Sequence, residues 1–226
     1  MLCSTSVEVI VTAVPEPLSG RRAQAARNDE RILDAARTVF VADPGAPIAA
    51  VAERAGVGIS ALYRRFESKE EMLQTLCLDG LHRYNAEVEA ALRDERDTWT
   101  SLAHFMRRIV EEDTHSLTLS LAGRFGPTED LNIESVRAKQ LIETYFERIM
   151  SAGVIRSDLR VDDLGIIFEM VAAVRRADQQ RTDELRQRYL TLLLDAIRAP
   201  GATPLPGPPP TFAEVVERFE TTGRPS

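Results

Sequence analysis

The chain has 226 residues, 44% of them hydrophobic and 28% charged, with a formal net charge of −7. This balance supports a buried core and excludes a disordered polyelectrolyte; at roughly 100–200 residues per domain, the length suits a small domain joined to a larger one. Two cysteines, Cys3 and Cys77, give no disulfide framework and fit a reducing cytoplasm, where the protein is expected.

The apolar stretch Val7 to Val14 is broken by Glu8 and has no basic residue ahead of it, so residues 1–20 read as a flexible tail and not as a signal peptide. No apolar run approaches the ~20 residues that cross a bilayer, and no membrane role is expected. Net acidity argues against nucleic acid as a partner, but the charge is uneven. Residues 19–73 carry nine Lys/Arg against eight Asp/Glu, with Arg21, Arg22 and Arg27 ahead of the first helix and Arg64, Arg65 and Lys69 near one turn.

Helical periodicity runs along almost the whole chain, so the class is all-α. A first helix starts at an Asn28 cap and reaches about Ala42, with Ile32, Leu33, Ala36, Val39 and Phe40 on one face. Asp43-Pro44-Gly45 ends it, and Pro47 opens the next. In Ile48 to Phe66, IAAVAERAGVGISALYRRF, Ala52 supplies the small residue for a close helix crossing. Gly56 supplies the turn, and Leu62 the apolar anchor of a second short helix. Ser68 and Glu71 form a capping box for a long helix to Leu92, apolar at 73, 77, 81, 84, 88 and 92, that joins two domains. Further helices are expected over 98–122, 132–152, 162–178 and 183–198. Pro and Gly then dominate 200–210, and Thr211 with Glu214 caps a last short helix carrying Phe212, Val215, Val216 and Phe219.

With Leu62 and Phe66 facing inward at 100° per residue, Ser60 and Arg64 point outward, flanked by Ala61 and Tyr63, with Ile59 between core and groove. The spacing resembles the helix-turn-helix of bacterial regulators, and AGVGISALYRRFESKEEML resembles the TetR family in particular, over about residues 28–92. The resemblance implies an N-terminal three-helix DNA-binding domain (21–73), a helical ligand-binding and dimerisation domain (74–199) and a Pro-rich tail (200–226). It implies a homodimeric repressor that leaves double-stranded operator DNA when a small-molecule effector binds. Gly58, Ile59, Ser60 and Arg64 would then lie near base edges, and Tyr63 and Lys69 would hold phosphates. Arg21 and Arg22 would form an arm to a minor groove. Two departures stand out: Ala46-Pro47-Ile48 replaces the hydroxyl residues usual at the second helix, and Gly58 replaces the usual serine.

In the C-terminal part, the stripes 185, 189, 192, 193 and 190, 194, 197 cover two faces of the last long helix, so it must be buried on two sides. The reading assigns Ile166, Met170, Leu190, Leu194 and Ile197 to a two-fold interface. The alternative is a helix buried within one subunit. The resemblance also implies an effector pocket. Its candidates are the large inward residues Trp99, Leu102, Phe105, Met106, Ile109, Phe125, Leu141, Tyr145, Phe146, Ile149, Phe168 and Val171, with Arg124 as an anion partner or a helix-end charge.

Other chemistries find little support. Gly56 to Ala61 matches G-x-G-x-x-A, but a dinucleotide site needs a strand before it, and Val51 to Arg54 reads as helix. His104, Glu111 and His115 share a helical face without further ligands, so no metal or other cofactor is expected. No nucleophile–base pair is legible, which leaves a helical enzyme as the weakest rival and a protein–protein adaptor as the stronger one.

Overall fold

The computed structural model describes residues 20–113, 125–126, 128–200, 203–211 and 214, with only the backbone described over 20–26. Its described residues form eight helices, numbered here in chain order, and an isolated antiparallel bridge between Ile155 and Arg198. None of these helices is long and apolar enough to cross a membrane.

Helix α1 spans Gly20–Ala42, starting well before Asn28. The preceding Arg-Arg-Ala-Gln-Ala-Ala-Arg, residues 21–27, consists of strong helix formers, so the helix runs through the potential cap. Arg21 and Arg22 therefore belong to the first turn of a helix and not to an extended arm. Helix α2 (Ile48–Ala55) follows Pro47, which serves as its N-cap; Gly56 closes it at φ 65°, a left-handed conformation that glycine adopts without a Cβ clash. Helix α3 (Ile59–Arg65) follows directly.

At eight and seven residues, α2 and α3 are far below the ~12–15 residues at which isolated helices begin to persist, so tertiary burial holds them. Ile32, Ala36 and Phe40 of α1, Val51 and Ala52 of α2, Leu62 of α3 and Phe66 make that core. It is completed by Met72, Leu73 and Leu76 of α4 (Lys69–Arg93). The Ser68 hydroxyl caps α4 by accepting from the Glu71 N–H, while the Glu71 carboxylate takes the Glu67 N–H instead of closing a reciprocal box.

A second core gathers Val88 and Ala91 at the far end of α4 with α5 (Thr98–Glu111), α6 (Glu129–Ser151), α7 (Val161–Ala172) and α8 (Gln179–Ile197). Phe105 sits at its centre, edge-on to Tyr84, Tyr145 and Phe168 with ring centroids 6.4, 5.4 and 6.3 Å away. The buried Tyr145 and Ser101 hydroxyls satisfy each other at 2.9 Å.

Two helices stop earlier than their periodicity suggests. Helix α5 ends at Glu111, short of 122, because Asp113 turns to φ 49°; α7 ends at Ala172, short of 178. Buried Arg186 of α8 explains both. Its Nη1 donates to Asp113 Oδ1 (2.8 Å), its Nε to the Val174 carbonyl (3.1 Å) and its Nη2 to the Ala172 carbonyl (3.0 Å). The carbonyls left open at the end of α7 are thus satisfied by a side chain and no further turn is needed. Helix α8 starts earlier than expected, capped by Asp178, whose carboxylate accepts from the Arg181 N–H at 2.6 Å. Residues 203–205 lie against the 156–158 turn, where the Leu205 N–H reaches Asp158 (3.0 Å) and Arg156 donates to the Thr203 carbonyl. The Thr211–Glu214 cap forms as its spacing suggests. The apolar stripe 212, 215, 216 and 219 lies outside the described residues.

Phe105→Ala is expected to cost about 3–5 kcal/mol, the range for deleting a fully buried aromatic ring. Urea denaturation of the purified protein checks it, and a loss below ~1 kcal/mol would contradict a tightly packed second core.

Candidate functional site

The outward face of α3 is built by elimination. Leu62 and Phe66 are fully buried, which fixes the helix rotation and leaves Ile59 (41% exposed), Ser60, Tyr63 (52% exposed) and Arg64 in solvent. An exposed isoleucine and tyrosine beside an arginine, on a helix held rigidly from behind, match the mixture that base edges and phosphates require. Gly58, the N-cap, has φ −68° and ψ 140°, accessible to any residue, and a Cβ there would touch nothing within 4 Å. The protein's own packing therefore gives no reason for glycine at this position.

Three other cations of this domain, Arg31, Arg65 and Lys69, tie its own elements together. Arg65 pairs with Asp29 of α1 at 3.1 Å and lies over the Phe66 ring. Arg31 donates to the Ala55 carbonyl at the end of α2 (2.7 Å). Lys69 is the clearest correction to the sequence reading. Its ammonium donates to the carbonyls of Ala46 (2.6 Å), Gly45 (3.2 Å) and Pro44 (3.3 Å) and sits 5.1 Å from the Phe40 ring centroid. An ammonium has three protons, so these bonds exhaust its donors and make Lys69 the staple of the α1–α2 turn. Arg21 and Arg22 have described backbone only.

The sequence profile of the bacterial regulatory proteins of the tetR family matches residues 32–76, which contain α2, α3 and the start of α4. The chain is 26% identical over 207 residues to the HTH-type transcriptional repressor KstR2 of Rhodococcus jostii, covering 82% of this chain and 98% of that protein. It is 28% identical over 137 residues to the nucleoid occlusion factor SlmA of Marinobacter nauticus, covering 58% and 70%. The fold superposes on the TetR-like regulator LfrR of Mycobacterium smegmatis, solved with proflavine, at a TM-score of 0.56, with 19% identity over 80% of this chain and 99% of that one.

Residues 32–76 thus match the tetR-family profile, and the fold is that of TetR-like regulators. The structure places the residues expected around an effector unevenly. Leu102, Phe105, Met106, Tyr145, Phe146 and Ile149 are buried core, and Leu141 packs on its edge. Trp99 also lies at that edge, under the Arg198 guanidinium at 4.8 Å. Ile109, Phe168 and Val171 line a small cavity between α5, α7 and α8, together with Val110, Ala172 and the Arg186–Asp113 ion pair. Phe125 is a correction, since it packs against the N-terminal core and not among the helices it was grouped with. Arg124 lies outside the described residues.

The expected interface is also corrected. Leu190, Leu194 and Ile197 are buried in their own subunit's core. The opposite stripe is exposed: Tyr189 (44%) and Leu192 (57%) on α8, beside Met170 (48%) and half-buried Ile166 on α7. Arg186 escaped the sequence reading altogether. Its signal was a cation within the buried 182, 186, 190, 194 stripe of α8.

Among the rival chemistries, Gly56 follows a helix and not the strand a dinucleotide loop needs. His104 is exposed, His115 lies outside the described residues, and among the described residues no three metal-ligating side chains converge. Burial pushes the Cys77 thiol up to about 12, so it carries no thiolate at neutral pH.

Two substitutions separate surface from scaffold. Gly58→Ser is expected to leave stability unchanged or raise it by a few tenths of a kcal/mol, because the backbone is already that of a capping serine. Lys69→Met is expected to cost about 1–3 kcal/mol by orphaning carbonyls of the turn, and both are read from urea midpoints.

Proposed function

We propose that this chain is a homodimeric repressor that holds operator DNA through α3 and releases it when a small molecule enters the domain built from α5 to α8. The observation that carries the reading is the face of α3: Gly58, Ile59, Ser60, Tyr63 and Arg64 stand free of the core, while the residues behind them are fully buried. In this reading Arg64 and Ser60 face base edges, Ile59 faces a thymine methyl, Tyr63 holds a phosphate, and Gly58 lets the backbone approach the groove. The related KstR2 is named a transcriptional repressor, and LfrR was solved with a small molecule, proflavine. Both support repression and ligand control here.

Dimerisation in this reading uses Ile166 and Met170 of α7 with Leu185, Tyr189 and Leu192 of α8. These positions form one apolar face across two neighbouring helices, and a self-complementary four-helix contact would cover it on both copies. A two-fold dimer places two copies of α3 in successive major grooves, roughly 34–36 Å apart. The ligand acts only through a difference in its affinity for the DNA-bound and released states.

Two measurements test this. Fluorescence anisotropy on DNA upstream of the protein's own and neighbouring genes, across a salt series, should show sequence-dependent binding that Tyr63→Ala plus Arg64→Ala weakens at least tenfold. Loss of a phosphate contact should also lower the salt slope by about 0.9. Wild-type affinity in that folded double variant would remove α3 as the reader. Met170→Glu plus Leu192→Glu should give a monomer in sedimentation velocity and lose operator binding with it. A dimer persisting in this variant would place the interface elsewhere.

A further inference from the structure

We infer that the second copy of this chain lies antiparallel along α8, with Arg188 of each subunit paired to Asp195 of the partner subunit; this rests on the dimer reading above and adds which way the two copies run. Arg188 and Asp195 are both exposed, and among the described residues neither side chain has an ion-pair or hydrogen-bond partner. Their neighbours on the helix are already engaged. Glu184, one turn before Arg188, pairs with Arg181 at 2.9 Å, and Arg198, just after Asp195, lies over the Trp99 ring at 4.8 Å. The two charges are thus left for something outside the subunit.

At 100° per residue, Arg188 and Asp195 fall within about 20° of each other and about 10 Å apart along the axis, on one edge of the exposed stripe Leu185, Tyr189 and Leu192. The other edge is taken by α7. Thr182 accepts from the Arg176 N–H (2.9 Å) and Arg186 donates to the Ala172 carbonyl (3.0 Å), and both positions fall on the far side of the stripe from Arg188.

A two-fold contact between two such faces has two directions to choose from. With the copies of α8 parallel, each edge meets the opposite edge of the mate, so both charges are set against α7, whose exposed residues there are Ile166 and Met170, and lose water without a partner. With the copies antiparallel, each edge meets the same edge in reverse order, and a residue i opposite j has j opposite i. An axis crossing α8 at Leu192, next to the midpoint of the two charges, then sets Arg188 against Asp195 of the partner subunit at both ends. Tyr189 falls opposite the partner's Ala196, so a large exposed side chain meets a small one. The apolar stripe supplies the contact area, and the charged edge supplies direction and choice of mate: a protein of similar fold without this edge would leave both charges unmatched.

Arg188→Asp, Asp195→Arg and the chain carrying both substitutions test this, at exposed positions that belong to neither core. Dimer dissociation constants of the full-length proteins are measured by sedimentation equilibrium at low and high salt, and mixed dimers are counted by native mass spectrometry. Each single reversal sets like charges together at both ends of the contact and should weaken the dimer about tenfold at low salt, and less at high salt. The chain carrying both reversals should return to within about threefold of the wild type. An equal mixture of the two single variants should form mixed dimers in preference to either homodimer, because that combination pairs opposite charges twice. Single reversals that leave dimerisation unchanged, a doubly reversed chain no tighter than the single variants, or a purely statistical mixture would each overturn the antiparallel pairing and leave the dimer reading standing. A wild type that stays monomeric at every concentration would overturn both.

Discussion

Helix α4 belongs to two hydrophobic cores, and that double membership constrains the rest of the molecule. Met72, Leu73 and Leu76 lock one end beneath α2 and α3, while Val88 and Ala91 lock the other beneath α5 and α6. Over 25 residues the helix spans about 37 Å at 1.5 Å per residue, and a packed helix transmits displacement along its length because interiors resist compression. Neither core can repack without moving its anchor on α4. The remaining bridges reinforce this from the sides: Gly126 exchanges hydrogen bonds with Glu70 and Gln74 at the start of α4, and Arg175 meets the end of α1.

Within the N-terminal domain the division of labour among cations is the main physical result. Arg31, Arg65 and Lys69 spend their donors on carbonyls and a carboxylate of the same domain, which stabilises helices too short to stand alone. A lysine wholly engaged with backbone carbonyls would break those bonds to reach a phosphate. In the proposed reading the weight of recognition therefore shifts to α3 itself, to Tyr63 and Arg64, and to the close approach that Gly58 would allow.

Much of the fold was legible because its signals are local. Gly56, Ala52 and Leu62 have one arrangement that satisfies a tight helix crossing, and the caps at Ser68 and Thr211 form where their spacing puts them. What escaped the sequence was decided by contacts distant along the chain. Arg186 ends α5 and α7 from a helix that follows both, so no pattern within either could show where it stops. The two apolar stripes of α8 were visible, but periodicity gives both equal weight, and only the packed structure assigns 190, 194 and 197 to the core and leaves 189 and 192 outside. At the site, the exposure of Ile59, Ser60, Tyr63 and Arg64 followed from the inward pair Leu62 and Phe66. The role of Lys69 did not, because a basic residue near a recognition helix looks the same whether it faces a phosphate or its own turn.

The central claim is that two copies of the α3 face read one operator together, and hydroxyl-radical footprinting of the unliganded protein on its own upstream DNA tests it most directly. The account predicts two protected patches centred one helical turn, about 10 base pairs, or a whole multiple of that apart, related by an inverted repeat. A single protected patch, or protection without a repeat at saturating protein, would contradict it.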